Sequence, residues 1–150
     1  MDQLPLSVYI ITLNEADCIK SCLDRLVAFE EVILVDSGST DNTLEIANGY
    51  QNVKSSHNDW PGFGEQKSHA LSLCKNSWVL YVDADEILTD EYIEAVKQTV
   101  MGNQVDALES TRILYRWGAK PKNFASQDRL IRLFKKNAGT MSHVECTKGF

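Results

Sequence analysis

Three stretches of this chain are apolar without a break, and each stops at polar residues. They are Val8-Tyr9-Ile10-Ile11 before Thr12-Leu13-Asn14-Glu15, Val32-Ile33-Leu34-Val35 before Asp36-Ser37-Gly38-Ser39-Thr40-Asp41, and Trp78-Val79-Leu80-Tyr81-Val82 before Asp83-Ala84-Asp85-Glu86. Short continuous runs bounded by polar, turn-forming residues read as strands buried on both faces. Between them the apolar positions recur with a helical period. Ile19, Leu23, Leu26 and Val27 form one stripe, preceded by Thr12-x-x-Glu15 with the spacing of a capping box. Leu44, Ile46 and Ala47 form a second, with Ser39 and Thr40 as N-cap candidates and Asn48-Gly49 at its end. A third helix is expected over 65–75 with Ala70, Leu71 and Cys74 inward. A fourth follows Thr89, with Ile93, Val96 and Val100 inward and Gly102 closing it. Residues 53–56 read as a weak edge strand, and Asn58-Asp59-Trp60-Pro61-Gly62-Phe63-Gly64 as a loop.

Alternating strands and helices of this kind predict an α/β fold, a mostly parallel sheet with helices on both faces. Ligands of such sheets bind beyond the carboxyl ends, where the strand order reverses. An order 3-2-1-4 would set the Asp83 end beside the Thr12 end, with Asp36 one strand further. From residue 105 the pattern changes. Strands are expected within 105–117 and 127–136, as a mixed or antiparallel extension of the sheet.

Composition narrows the class. The chain has 150 residues, enough for one domain with a real core, and 43% apolar and 24% charged residues, as in an ordinary soluble protein. No run approaches a membrane span, and the start lacks the regions of a signal peptide, so a cytoplasmic location is expected. Cys18, Cys22, Cys74 and Cys146 form no Cys-x-x-Cys pair and read as reduced thiols. The net charge of −6 is uneven. Residues 110–150 hold nine Lys/Arg against two Asp/Glu, a net of +7, and the rest carries −13. The basic tail could meet phosphorylated glycolipid or the anionic inner leaflet of a membrane. Nucleic acid is not expected, because the whole chain is acidic and has no recognition motif.

Asp83 and Asp85 are the residues with the clearest chemistry. If the strand stays extended to Asp85, the two carboxylates lie on one face, roughly 7 Å apart at their Cα atoms. Two like charges so placed repel, and a hard divalent cation, Mg²⁺ or Mn²⁺, would relieve the repulsion while sharing substrate phosphates. A rim of acids and hydroxyls suits a metal-bridged diphosphate with a nucleoside attached. The plain alternative is a polar strand end whose aspartates cap the next turn.

With these pieces in order, the chain resembles a family 2 glycosyltransferase of the GT-A fold. The resemblance rests on residues 8–15, on Val-Ile-Leu-Val-Asp-Ser-Gly-Ser-Thr-Asp-Asn-Thr at 32–43, on Gly-Phe-Gly-Glu-Gln-Lys at 62–67, on Trp-Val-Leu-Tyr-Val-Asp-Ala-Asp-Glu at 78–86, and on 129–136. The variant is similar to the subgroup that adds glucose or a related sugar to the inner core of lipopolysaccharide. The resemblance implies a single domain over 1–150, with a nucleotide-sugar-binding half over 1–104 and a short acceptor-side extension over 105–150. It implies that Thr12, Asn14 and Glu15 line the nucleotide pocket and that Asp36 or Ser37 contacts uracil or ribose. Ser37 stands where many relatives have a second aspartate. Lys67 would approach the diphosphate or ribose. Asp83 and Ala84 would sit near the ribose and sugar, and Asp83 and Asp85 would hold Mn²⁺ or Mg²⁺, with Asp85 the metal ligand in the reaction. The implied reaction is inverting transfer of a hexose from a UDP-sugar to a glycolipid or glycan. Glu145, in His143-Val144-Glu145, is the candidate base, although the subgroup tends to place His directly before Glu. The family's chain continues past this length, so the acceptor side is expected to be incomplete.

Other classes fit less well. A sugar-phosphate nucleotidyltransferase would carry a glycine-rich basic loop after the first strand, and an NAD-dependent oxidoreductase Gly-x-Gly-x-x-Gly; Thr12-Leu13-Asn14-Glu15 is neither. An aspartate phosphatase would place its Asp-x-Asp after the first strand, not at Asp83. A non-catalytic nucleotide-sugar-binding module is the remaining alternative. Trp60 and Phe63 are candidates for a loop over the donor, and Trp117 for an acceptor platform.

Overall fold

The computed structural model describes residues 2–113 and 127–137. Along them run β1 (Leu4–Thr12), α1 (Ile19–Asp24), β2 (Phe29–Asp36), α2 (Thr43–Ala47) and β3 (Val53–His57), then α3 (Phe63–Ser72), β4 (Trp78–Tyr81), α4 (Asp90–Gly102), β5 (Ala107–Ile113) and β6 (Gln127–Lys135). One sheet takes the order β3-β2-β1-β4-β6-β5. The pairs β1–β2, β1–β4 and β2–β3 are parallel, whereas β6 runs antiparallel to both β4 and β5. The expected 3-2-1-4 core and its antiparallel extension are both present, and the order reverses between β1 and β4.

The uninterrupted apolar runs have the cause inferred from them: each strand buries both faces. On one face Leu6, Val8, Ile10, Val32, Leu34, Leu80 and Val82 pack with Ile19, Cys22, Leu23, Ala47, Val96 and Val100 of α1, α2 and α4. On the other, Tyr9, Ile33, Val35, Val79, Tyr81 and Phe134 pack with Ala70, Leu71 and Cys74 on and beside α3. Burying each large aliphatic side chain contributes about 1.5–3 kcal/mol. A buried acid interrupts the second face. Glu31 accepts from Ser7 Oγ (2.5 Å), Lys54 Nζ (2.9 Å) and the Lys75 backbone N–H (3.0 Å), which satisfies a carboxylate that is only 2% exposed.

Local signals fared unevenly. The Thr12–Glu15 capping box does not form. Thr12 is the last residue of β1, and α1 starts only at Ile19, where Cys18 makes no side-chain cap. Val27 is 53% exposed, because α1 ends at Asp24 and the helical stripe stops short of it. Ser39 and Thr40 do not cap α2, whose N-cap is Asn42; both are drawn instead into the loop after β2. The third helix spans 63–72 rather than 65–75. Thr89 does cap α4, accepting from Tyr92 N–H at 3.1 Å, with Asp90 and Glu91 in the first turn where the helix dipole favours acids. Among the described residues no helix is long and apolar enough to cross a membrane.

Candidate functional site

The carboxyl ends of β1 and β2 are stitched into one loop cluster. Thr12 and Asp36 are register partners, and Thr12 Oγ1 donates to Asp36 Oδ1 at 2.8 Å. Asp36 also accepts from Ser39 Oγ (2.5 Å) and from the backbone N–H groups of Ser39 (2.7 Å) and Gly38 (2.9 Å). Gly38 has φ +120°, a conformation glycine adopts at no steric cost. Burial alone would raise the Asp36 pKa, but these donors outweigh it and hold the carboxyl below its usual range. Four bonds fill the four lone-pair positions of a carboxylate that is 1% exposed. Asp36, so engaged, shapes the loop, and half-buried Ser37 follows it at the surface.

Asn14 completes the stitching. Its backbone is left-handed (φ 52°), its N–H donates to Ser39 Oγ at 2.8 Å, and its Oδ1 accepts from Thr40 N–H at 2.8 Å. Glu15 N–H donates to Thr43 Oγ1 at 2.8 Å. The Thr-Leu-Asn-Glu and Asp-Ser-Gly-Ser-Thr-Asp segments thus specify each other. The cluster continues toward α3, because Asn58 N–H donates to the Asp36 carbonyl at 2.9 Å. Asn58 and fully buried Gln66 then exchange two hydrogen bonds, of 2.7 and 3.1 Å. Gln66 fixes the first turn of α3, and the next residue, Lys67, sets its Nζ 4.5 Å from the centre of the Tyr81 ring. Tyr81 ends β4 and packs on Tyr9 at 5.2 Å, so it carries Lys67 to the side of the Asp83 turn.

Asp83 and Asp85 do not share an extended strand. β4 stops at Tyr81, and Glu86 N–H donates to the Asp83 carbonyl at 2.9 Å, closing a turn over Asp83-Ala84-Asp85-Glu86. Arg132 on β6, which the pattern did not single out, packs against this turn. It is 8% exposed and donates from Nη1 to Glu86 Oε1 (2.6 Å) and from Nη2 to Glu86 Oε2 (3.2 Å) and Asp83 Oδ2 (3.3 Å). It also lies over the Tyr81 ring, 5.1 Å from its centre. Asp83 further accepts from the Tyr81 hydroxyl, and Asp83 N–H donates to Glu86 Oε1 at 2.7 Å. Burial opposes the charge on Arg132, but Glu86 and Asp83 outweigh it and raise its pKa. Glu86 is pulled inward, Ala84 is buried, and Asp85 remains exposed.

The donor set suits a hard cation only in part. Among the described residues no group of three or more His, Cys, Asp or Glu side chains could hold a metal ion. Asp83 is engaged by Tyr81 and Arg132, which leaves exposed Asp85 as the carboxylate available to a cation. Mg²⁺ and Mn²⁺ sites built from one or two carboxylates, water and substrate phosphates have this character. Glu145 and Trp117 lie outside the described residues. Of the basic residues expected to meet an anionic partner, Arg132 is buried, Arg129 pairs with Glu109 (3.2 Å), Lys135 with Asp106 (3.3 Å), and Lys136 Nζ donates to the Cys74 carbonyl (2.7 Å). A cavity of about 670 Å³ opens at the other end of the sheet, lined by Pro5, Trp78, Asn103 and Lys135 among others, and includes none of the residues at the carboxyl rim.

Known proteins are similar to this chain. The chain is 34% identical over 146 residues to an uncharacterized glycosyltransferase of Rickettsia prowazekii (93% of this chain, 49% of that protein). It is 31% identical over 146 residues to the lipopolysaccharide core biosynthesis glycosyltransferase LpsC of Rhizobium meliloti (91% and 53%). It thus spans about half the length of the curated relatives it matches. Among solved structures, TarS residues 1–349 of S. aureus with UDP-GlcNAc superimposes with a TM-score of 0.61 at 30% identity, covering 71% of this chain and 33% of that one. Glucosyl-3-phosphoglycerate synthase of Mycobacterium tuberculosis with Mn²⁺, UDP and glucosyl-3-phosphoglycerate superimposes at 0.56 and 26% identity, covering 75% and 44%. The family model for glycosyl transferase family 2 matches residues 7–148, and the chain belongs to that family.

Proposed function

We propose that this chain is the donor-binding part of an inverting, metal-assisted hexosyltransferase that uses a UDP-sugar and acts on a lipopolysaccharide core or similar glycan. The observation that carries the reading is the convergence at one rim. The ends of β2, β1 and β4, adjacent in that order, carry Ser37, the Thr12–Glu15 segment and the Asp83–Glu86 turn, and Lys67 lies over Tyr81 at the end of β4. A UDP-sugar accompanies one similar structure, and UDP with Mn²⁺ another. The lipopolysaccharide acceptor is supported by the printed function of one relative. A cytoplasmic location, with the basic tail against the inner leaflet, remains part of this proposal.

Each role follows from chemistry at the rim. The loop around Thr12, Asn14, Glu15 and Ser37 would receive the nucleoside, held open by Asp36. Lys67 would meet the diphosphate with its positive charge. Asp85 would hold Mn²⁺ or Mg²⁺, with Asp83 and Ala84 beside the ribose and sugar. Bound there, the metal would neutralise the charge of the leaving diphosphate. Inversion requires a base to take the proton of the acceptor hydroxyl as that oxygen attacks the anomeric carbon. Glu145 is proposed for it.

Calorimetric titration of UDP into this chain, with and without Mn²⁺, tests the donor site. Metal-enhanced binding is expected, and no binding in either condition would overturn the reading. A second reading is a nucleotide-sugar-binding module without turnover. Metal-dependent UDP binding without hydrolysis or transfer of a UDP-hexose would select it.

A further inference from the structure

The Asp83–Glu86 turn concentrates three acids in four residues, and only one of them faces solvent freely. The other two are taken by a single buried guanidinium from a strand that the rest of the site does not use. β6 sits antiparallel to β4 with Leu80 opposite Leu133, so the next position on β6, Arg132, falls beside Tyr81 and the start of the turn. Its side chain is 9% exposed, against 20% for Glu86 and 32% for Asp83. Its Nη1 donates to Glu86 at 2.6 Å and, at 3.4 Å, to the Tyr81 carbonyl. Glu86 in turn accepts from the Asp83 backbone N–H. The guanidinium therefore holds both ends of the turn, and through Tyr81 it lies across the same ring as Lys67.

We infer that Arg132 and Glu86 are positioning residues for the donor site: together they fold the Asp-Ala-Asp segment into a turn that withholds Asp83 and Glu86 from a cation and presents Asp85. This rests on the donor-site reading above. Three uncompensated acids would repel one another and bind a divalent ion by any pair among them. With one guanidinium shared by two of them, the turn keeps a single exposed carboxylate, and a metal there must complete its shell with water and diphosphate oxygens. Metal binding is then tied to the presence of the nucleotide. A lysine cannot replace this arginine, because one ammonium group cannot span Glu86, Asp83 and the Tyr81 carbonyl with the geometry of the planar fork.

The test compares Arg132→Lys and Glu86→Gln with the unaltered chain, titrating UDP with and without Mn²⁺ and Mn²⁺ alone, and following thermal unfolding. Glu86→Gln preserves shape, and Arg132→Lys preserves the buried charge, so between them a folded variant is retained. The expected result is metal-free UDP affinity within about twofold of the original, with the Mn²⁺-dependent gain reduced at least tenfold. Mn²⁺ affinity without nucleotide should rise as acids are released in Arg132→Lys. A full Mn²⁺-dependent gain in either folded variant overturns the inference and leaves the donor site standing. An equal loss of UDP affinity with and without metal also overturns it, since that is the signature of a purely structural residue. An unaltered chain that binds no UDP overturns the donor-site reading and this inference together.

Discussion

Thr12 on β1 and Asp36 on β2 are paired in register, and the hydroxyl of one donates to the carboxylate of the other at 2.8 Å. This bond joins the two strand ends beneath the loop contacts that Asn14 and Glu15 make with Ser39, Thr40 and Thr43, and beside the Ser37 N–H bond to the Thr12 carbonyl at 3.1 Å. Asp36→Ala would strip four donors of their acceptor, two of them backbone N–H groups that no other bond supplies. The expected cost is about 3 kcal/mol in urea denaturation, with Thr12→Val costing about 1 kcal/mol. Both should also weaken UDP binding, Asp36→Ala by tenfold or more. A fully stable Asp36→Ala chain would show that the loops are held by other means.

Acid should destabilise the fold through two carboxylates. Burial alone would raise both pKa values, yet hydrogen bonds lower Asp36 below its ordinary 3.8, and hydrogen bonds from Lys75, Ser7 and Lys54 lower Glu31 below 4.5. A carboxylate whose folded pKa is depressed gives stability that is complete above the unfolded value and is lost as pH falls through the folded one. The urea midpoint should therefore stay flat from neutral pH down to about 5 and fall below about 4. Asp36→Asn should flatten part of that decline. An identical slope in the variant would exclude Asp36 as a source.

Glu31 separates stability from ligand binding. Its partners Ser7, Lys54 and Lys75 lie away from the carboxyl rim, toward the opposite end of β1 and β2. Glu31→Gln keeps the volume but loses the charge that Lys54 and the Lys75 N–H meet. A loss of about 1–3 kcal/mol is expected, with UDP affinity changed less than twofold. A selective loss of UDP binding with stability intact would contradict this division.

How much of this was readable beforehand depended on range. Strand positions and their order followed from apolar runs, because burial on both faces leaves a one-dimensional trace. The 3.6-residue stripe marked α4, where Val96 and Val100 are buried, but it overran α1, since a helix of Ile19–Asp24 is too short to carry Val27. Thr12 looked like a cap because the pattern carries no information about Asp36, its partner 24 residues away. Arg132 was hidden for the same reason. Leu130-Ile131-Arg132-Leu133-Phe134 reads as a strand with one solvated base, and only pairing with β4 reveals that Glu86 and Asp83 await it. The extended Asp83–Asp85 geometry failed because β4 ends at Tyr81 and a turn follows, against which Arg132 packs. Nothing in Gly-Phe-Gly-Glu-Gln-Lys marks its Gln as buried, yet that amide, paired with Asn58, fixes the helix turn that carries Lys67.

Lys67 should act on phosphate rather than on the nucleoside. Its Nζ lies 4.5 Å from the Tyr81 ring centre, a cation–π contact worth about 0.5–1 kcal/mol at a partly exposed site. A lysine so held keeps its charge near the Asp83 turn, where a diphosphate would pass. Lys67→Met should lower UDP affinity about tenfold and leave uridine affinity unchanged. Equal losses for the two ligands would place the lysine against the ribose or base instead.

Asp85 and Asp83 should differ, although they stand two residues apart in one motif. Asp85 is exposed, and substitutions at exposed sites cost less than about 0.5 kcal/mol. Asp83 accepts from the Tyr81 hydroxyl and from Arg132, and its removal would leave a buried guanidinium short of a partner. Asp85→Ala should therefore melt like the unaltered chain while losing the Mn²⁺-dependent part of UDP binding, by tenfold or more. Asp83→Ala should lower the melting temperature and weaken UDP binding with and without Mn²⁺, since Asp83 would itself stand beside the ribose and sugar. Unchanged affinity of Asp85→Ala for UDP in Mn²⁺ would remove Asp85 from the metal site. The same metal-selective loss in a stable Asp83→Ala chain would show instead that Asp83 leaves Arg132 and binds the cation when the donor arrives.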